Sequence, residues 1–405
     1  MKIAIFTDLY APWADGGVVA SIKAQKQSLE GLGHEVVVFC PGFEARERNV
    51  ITVPSHKRLR INGAVVAKRP SIVEEYILSE MPDFASFDLV HVQYEASCSI
   101  AGVRLAKKFN LPLVQTMHGR EDMAIAVNIP HPFKFLTAWA LNFAHGRCLK
   151  HSIKVRRDRF QAPTFTRAKM WTLMVNQAEY ADIVTTPSRH FARKLEHYGV
   201  TKPVVAVSNG VPDELIETEV QPRSLEDGAV LKMLWNSRTS KEKRILPFLQ
   251  AVAMLNRPYI LYVYGNGNQL KKAKRFAQKH NLKVRFYGAV KRERILEKMR
   301  STHLAIMASY NFDTQGMTLL EAEAMGLPVF FCDPAMEEIV PKESFVLADG
   351  PEAAAMQIAL DNIQAAQIER MSKKMLASRK EVAQAVQDKK MLAAYKAALE
   401  VHRQK

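Results

Sequence analysis

Short apolar runs alternate with amphipathic stretches along nearly the whole chain. The first forty residues read "IAIF", then the turn-rich "TDLYAPWADGG", then "VVASIKAQKQSLEGLGH", then "EVVVFC". Unbroken apolar runs of this length suit strands covered on both faces, and the helical period between them predicts a helix. Strand, helix and strand in that order imply a parallel sheet. "FDLVHVQ" and "LPLVQTMH" continue the pattern with the helix "SIAGVRLAKKFN" between them, and "ADIVTTPS" and "PVVAVSNG" follow.

The rhythm breaks at "NGVPDELIETEVQPRSLEDGA", whose turn formers and acids predict a linker. A second series then begins with "LKMLWNS", "YILYVYG", "KVRFYGAV", "HLAIMAS" and "LPVFFCD", again separated by helical patterns. The expectation is an α/β protein of two doubly wound, Rossmann-like domains, residues 1–207 and 208–384, with a final helix at 385–405 packing back on the first. Open parallel sheets bind ligands beyond the carboxyl ends of their strands. Two such sheets are therefore expected to face one another across a cleft, with the functional residues in strand-to-helix loops.

A chain of 405 residues exceeds the size at which one core stops growing, which agrees with two domains. No apolar stretch reaches the ~20 residues of a spanning helix, and Met1 leads straight into a strand pattern rather than a signal peptide. Cys40, Cys98, Cys148 and Cys332 lack ligand spacing and suit reduced thiols in a cytoplasm, so no metal site is expected. The formal net charge of +16 predicts attraction to polyanions without saying which: nucleic acid, an anionic membrane or a phosphorylated substrate.

Position along the chain narrows the choice. In "FDTQGMTLLEAEAMGLP", Gly316 permits close backbone approach, and the amides of Gly316, Met317 and Thr318 open a helix. Free N–H groups and the helix dipole attract phosphate there. Glu321 lies about five residues on, roughly 7.5 Å along the axis, which is where a ribose joined to a bound diphosphate would offer its hydroxyls. Asp313, before the turn, is placed for the sugar end of the same ligand. The bland alternative is a capped amphipathic helix with Glu321 and Glu323 in water, closed by Gly326.

Arg238 and Lys243, in "WNSRTSKEKRILPF", follow a strand and precede a helix, as cations for the two phosphates of a leaving diphosphate would. In the first half, Gly16 and Gly17 open a helix without forming a dinucleotide fingerprint. His118, in "QTMHGR", ends a strand at the functional edge, where it could meet a sugar hydroxyl or serve structure alone. His91 reads as a structural strand residue.

These features occur in one order: "TDLYAPWADGGVV", "SNGV", "SRTSKEK", "YGNG", "FYGAV" and the acidic pair at spacing eight with "GMTLLEA". Together they resemble the family 4 retaining glycosyltransferases of the GT-B fold, and among them most nearly the bacterial enzymes that glucosylate diacylglycerol. The resemblance implies a nucleotide sugar as substrate, with no cofactor and no metal. It places Arg238 and Lys243 on the diphosphate, the amides of residues 316–318 beside it, Glu321 on the ribose and Asp313 near the sugar, with His118 and the donor-binding Gly16–Gly17 loop closing from the first half, the glycines toward the phosphates. It also implies same-face attack in which the leaving phosphate takes the acceptor proton. Two positions depart from the family pattern: Asp313 stands where Glu is usual, and Lys243 is followed by Arg244 rather than glycine.

Residues 131–171 lie outside these motifs. Phe135, Trp139 and Phe143 recur every four residues, so they share one helical face. Between Arg147 and Lys169 there are eight Lys or Arg, among them Arg156, Arg157 and Arg159, against the single acid Asp158. An aromatic face beside cations suits the surface of an anionic membrane. The same stripe could instead pack into the first domain, with the cations solvated. The expected reaction is thus sugar transfer to a lipid hydroxyl at the cytoplasmic membrane face, with a soluble or polysaccharide acceptor as the alternative. A phosphorylase or sugar-nucleotide epimerase would use the same architecture. A basic nucleic-acid-binding protein is the remote alternative, since no helix-turn-helix, zinc or ribonucleoprotein motif is visible and no nucleic acid partner is expected.

Overall fold

Ile3, Ala4, Ile5 and Phe6 are fully buried because the strand that holds them runs through the middle of a parallel sheet. The computed structural model describes residues 1–14, 16–44, 47–61, 63–159 and 161–405. The chain folds as two compact units, Met1–Gly210 with Gln384–Lys405, and Val211–Ala383. The junction expected after residue 207 thus falls three residues later.

The strands of unit 1 are β1 (Lys2–Phe6), β2 (Glu35–Pro41), β3 (Val50–Val53), β4 (Ser55–Ile61), β5 (Ala64–Ala67), β6 (Leu89–Val92), β7 (Leu113–Thr116), β8 (Ile183–Thr186) and β9 (Val204–Ala206). Seven of them form a parallel sheet in the order β3-β2-β1-β6-β7-β8-β9. Ile3 sits between Val36 and Leu89 in register, so both of its neighbours across β1 are apolar. Phe6, Phe39, Phe84 and Phe87 pack on one face. The other face takes the helices Gly17–Gly31 and Gln384–Arg403 through Ile22, Leu29, Met391 and Tyr395. Burial of Tyr395 comes with a 2.8 Å hydrogen bond to His91 Nδ1, so the last helix is part of the first unit's core.

The antiparallel hairpin β4–β5 was not legible in the sequence. Its outer strand reads "SHKRLRI" and is almost wholly exposed, so it lacks the buried run by which the other strands announce themselves.

Unit 2 contains β10 (Leu231–Asn236), β11 (Tyr259–Tyr264), β12 (Val284–Gly288), β13 (Leu304–Met307), β14 (Val329–Phe331) and β15 (Phe345–Leu347), parallel in the order β12-β11-β10-β13-β14-β15. The expected linker is not all irregular. Pro212 and the acids Asp213 and Glu214 start a short helix, Asp213–Glu217, as acids at a helix N-terminus favour. All four cysteines are free thiols, and Cys40, Cys98 and Cys332 are buried. Among the described residues, no helix is long and apolar enough to cross a membrane.

Candidate functional site

Unit 2 gathers most of the expected site residues at the carboxyl ends of β10 and β13. The loop after β10 is tied to the loop after β11: Ser237 N–H donates to Tyr264 O, Thr239 N–H to Asn266 O at 3.0 Å, and Gln269 N–H to Thr239 O at 2.8 Å. These bonds fix the backbone from which Arg238 and Lys243 project. Lys243 Nζ lies 2.5 Å from Asp313 Oδ1, and Ser309 Oγ donates to the other Asp313 oxygen. Arg238 is largely exposed, with one guanidinium nitrogen 3.1 Å from Glu242 Oε1; the Glu242 side chain is itself fully buried.

The helix Met317–Ala324 starts where the sequence placed it. Gly316 is its N-cap at φ 80°, a left-handed conformation that side chains resist. A Cβ there would also stand 2.8 Å from Met307 Sδ. Thr318 Oγ1 donates to Asn236 O at 2.8 Å, which fastens the helix start to the end of β10. The first-turn amides of residues 316–318 have no partner within the helix for the reason common to all helix starts.

Glu321 and Glu323 are both buried, so the picture of a helix with its acids in water is wrong. The two are buried for different ends. Glu321 Oε1 accepts from Arg292 Nε at 2.7 Å and Oε2 from Asn236 Nδ2 at 3.3 Å. Glu323 points away to Ser378 Oγ at 2.7 Å, and burial pushes its carboxyl up to about 7. The charge pairs Lys243–Asp313 and Arg292–Glu321 therefore stand ready-made where a diphosphate and a ribose are expected. A bound nucleotide has to compete with or join them.

Sequence reasoning missed Arg292, Asn236 and Glu242. Arg292 opens the helix Arg292–Arg300 directly after β12, and a cation at that sheet edge was the available signal. Nothing local distinguishes Asn236, whose role comes from its long-range contact with Glu321, while Glu242 is set apart by its burial against its near neighbours Arg238 and Ser240.

Arg244 explains its own departure from the family pattern. Its backbone is left-handed at φ 64°, ψ 36°, the conformation for which glycine is the natural choice. A 2.6 Å hydrogen bond from its guanidinium to Pro351 O helps to hold an arginine there instead.

Gly16, Gly17 and His118 belong to unit 1. Gly16 caps the helix Gly17–Gly31 at φ 125°, with nothing within 4 Å of where a side chain would begin. His118 lies just beyond β7 and lines a small polar cavity with Ser21, Gln25, Gln93, Asn209 and Asp388. Gln93 Nε2 donates to Gln25 Oε1 at 2.7 Å, so its carbonyl oxygen faces His118 and accepts from Nε2 at 2.9 Å. The His118 ring is thereby set as the Nε2–H tautomer, and burial lowers its pKa to about 4. His91 is structural: its nitrogens bond Tyr395 Oη and Thr116 Oγ1, and burial lowers its pKa to about 3.

Phe135, Trp139 and Phe143 lie on the helix Phe133–Cys148, and they do not pack into the core. Their relative exposures are 45%, 51% and 54%, and Phe133 and Leu136 are exposed beside them. Trp139 and Phe143 stack on each other at 5.5 Å, while Phe135 lies against Phe165 at 4.6 Å. Arg156, Arg157 and Arg159 are exposed in the irregular segment that follows. Beneath this ridge, Asp122 is wholly buried between Arg120 and Arg167 at 2.7 and 2.8 Å. This triad ties the helix Glu121–Asn128 to the helix Phe165–Ala178. Among the described residues, no group of three or more His, Cys, Asp or Glu is placed to hold a metal ion.

Residues 15–215 match the family described as Glycosyltransferase Family 4, and residues 217–375 match Glycosyl transferases group 1. The chain is 26% identical to the alpha-monoglucosyldiacylglycerol synthase of Streptococcus pneumoniae (strain ATCC BAA-255 / R6), over 85% of this chain and 74% of that one. It is 24% identical to the synthase of the same name from Acholeplasma laidlawii, over 81% and 79%. Among solved structures, the sucrose-phosphate synthase from Thermosynechococcus elongatus superposes with a TM-score of 0.72 at 17% identity, covering 98% of both chains. The Anabaena protein HepE in complex with UDP-glucose gives 0.66 at 14% identity, covering 97% of this chain and 98% of that one. With two parallel-sheet units and both family matches covering nearly its whole length, the chain belongs to the family 4 glycosyltransferases, has the GT-B fold, and is a glycosyltransferase.

Proposed function

We propose that the enzyme transfers a hexosyl group, with retention, from a nucleoside diphosphate sugar to the hydroxyl of a membrane lipid such as diacylglycerol, at the cytoplasmic face of the membrane. The lipid acceptor rests on one observation, the exposed aromatic ridge of the helix Phe133–Cys148, followed along the chain by exposed Arg156, Arg157 and Arg159. A ridge of this kind is costly in water and favourable at the boundary of an anionic bilayer. The names of the relatives from Streptococcus pneumoniae and Acholeplasma laidlawii agree with this reading, and the solved complex of HepE with UDP-glucose agrees with the donor class.

In the proposed reaction the bond from the anomeric carbon to the diphosphate breaks and a bond to the acceptor oxygen forms on the same face. The acceptor proton passes to the departing phosphate oxygen. Lys243 and Arg238 stabilise the charge that grows on the diphosphate, which lowers the barrier because they act more strongly in the transition state than in the ground state. The amides of residues 316–318 add fixed dipoles. Glu321, oriented by Arg292 and Asn236, accepts from the ribose hydroxyls, and Asp313 is placed for the sugar. His118, held by Gln93, serves the acceptor side as a neutral ring.

The test is incubation with a panel of nucleotide sugars and vesicles with or without diacylglycerol, with nucleotide release, glycolipid and anomeric configuration all measured. Release that depends on diacylglycerol and yields the donor's own anomer supports the reading. Release unaffected by lipid but driven by a soluble sugar overturns the lipid acceptor. Lys243→Ala should lower turnover about tenfold to a thousandfold, the range for losing one donor to developing charge.

A further inference from the structure

The ridge of unit 1 leaves most of the charge unexplained. Between Lys271 and Arg300 stand twelve Lys or Arg against only Glu293 and Glu297, a net +10 of the chain's +16. Ten of the twelve cations are exposed. The topology puts them in one place. β12 is the outer strand of its sheet. The helix before it, Leu270–Lys279, packs on one sheet face through Ala273 and Phe276, and the helix after it, Arg292–Arg300, packs on the opposite face through Ile295, Leu296 and Met299. The cations consequently wrap the rim of the sheet as a collar.

Charges on an edge strand keep it from pairing with another sheet, but these cations extend well beyond the strand onto both flanking helices. The collar also lacks apolar company. The exposed large hydrophobic residue within it is Tyr287, and one face of that ring is already covered by Tyr264, stacked at 4.7 Å and 5°. Lys298 lies over the Tyr262 ring at 4.3 Å and Arg292 is held by Glu321, so these two belong to the packing and the site.

We propose that the collar is a second, purely electrostatic docking surface of the enzyme, which rests unit 2 on the anionic headgroups of the bilayer. A rim wrapped in flexible, exposed cations matches a sheet of phosphates, each cation adding to the attraction near the surface. Single-stranded nucleic acid is a poorer fit, because it calls for a groove with open aromatic platforms. The proposal rests on the membrane reading and adds to it a contact independent of the aromatic ridge.

The experiment measures the vesicle Kd of the full chain and of the combined variant Lys271→Gln, Lys272→Gln, Lys274→Gln and Arg275→Gln, none of them in the donor site. Vesicles of phosphatidylcholine alone and with phosphatidylglycerol are compared across a salt series, with melting temperature as the folding control. On anionic vesicles at low salt the variant should bind at least about tenfold more weakly, with a shallower salt dependence. On phosphatidylcholine the two proteins should bind alike. An unchanged Kd and salt slope on anionic vesicles overturns the collar alone and leaves the ridge standing. Wild-type protein that ignores phosphatidylglycerol altogether overturns the membrane reading with it. Binding to an unrelated oligonucleotide that the four substitutions weaken, while the vesicle Kd stays unchanged, assigns the collar to nucleic acid and overturns the proposal.

Discussion

Exposed cations follow the helix Phe133–Cys148, which itself exposes Phe133, Leu136, Trp139 and Phe143, whereas the exposed cations of the helix Leu270–Lys279 stand over buried alanines, on a helix that exposes no large apolar side chain. Charge alone does not tell the two apart. What separates them is the anchoring of the elements that carry them. The ridge helix is seated on Met170 and Leu173 through Ala138, above the buried Arg120–Asp122–Arg167 triad, so its apolar side chains are held out on a braced support. The collar helix presses Ala273 and Ala277 close to its sheet and offers the solvent only long, hydrated side chains. On the proposed membrane reading, the first region would insert into an apolar layer and the second would only attract its charged surface.

The sharpest way to break this contrast is to remove the brace. Asp122→Ala leaves two buried guanidinium groups without their carboxylate, and losing one partner of a buried ion pair costs about 3–5 kcal/mol. Denaturant unfolding should show that loss. A change under about 1 kcal/mol would mean that the ridge has some other support.

The buried histidines of unit 1 and the buried Glu323 of unit 2 should also answer pH in opposite senses. In unit 1, burial lowers His91 to about 3 and His118 and His145 to about 4. Each is neutral when folded, so the stability they allow is present above about pH 6.5 and is lost as pH falls toward 4. In unit 2, burial raises Glu323 to about 7, so its protonated form favours folding at low pH and that stability is lost as pH rises through 7. Glu323→Gln removes this titration while leaving His303 of the same unit in place. Relative to wild type, the variant should gain on the order of 3 kcal/mol between pH 4.5 and pH 8, read from melting curves. A difference that stays flat with pH would show that Glu323 ionises freely.

A smaller effect is expected at the ridge. Trp139→Ser with Phe143→Ser removes side chains already half in water, so folding should hold. Binding to vesicles should weaken about tenfold to a hundredfold, reflecting partial burial of two aromatic side chains, with the salt dependence unchanged. A loss of salt dependence in this variant would mean that ridge and collar are one surface. The smallest change is Arg244→Gly. It relieves the left-handed backbone but forfeits the bond to Pro351 O and frees the unfolded chain, so stability should move by less than about 1 kcal/mol. Turnover should persist, since Lys243 stays in place.

The sequence by itself determined the two parallel sheets, because a strand buried on both faces must be apolar throughout: "IAIF" and "LPVFFCD" could hardly be anything else. It also determined the start of the helix Met317–Ala324, since Gly316 and the acidic pair around it are local signals. Tertiary structure alone decided the rest. Hairpin β4–β5 carries no buried run, Asn236 and Arg292 acquire their roles only from Glu321, distant in the chain, and the burial of Glu242 is set by the fold. Exposure was likewise undecided: a stripe at Phe135, Trp139 and Phe143 has the same period whether it faces a core or water, and Glu321 and Glu323 look equally solvated on paper. Local chemistry and periodicity fix what an element is and which side chains share a face. Only packing against the other elements fixes what that face meets.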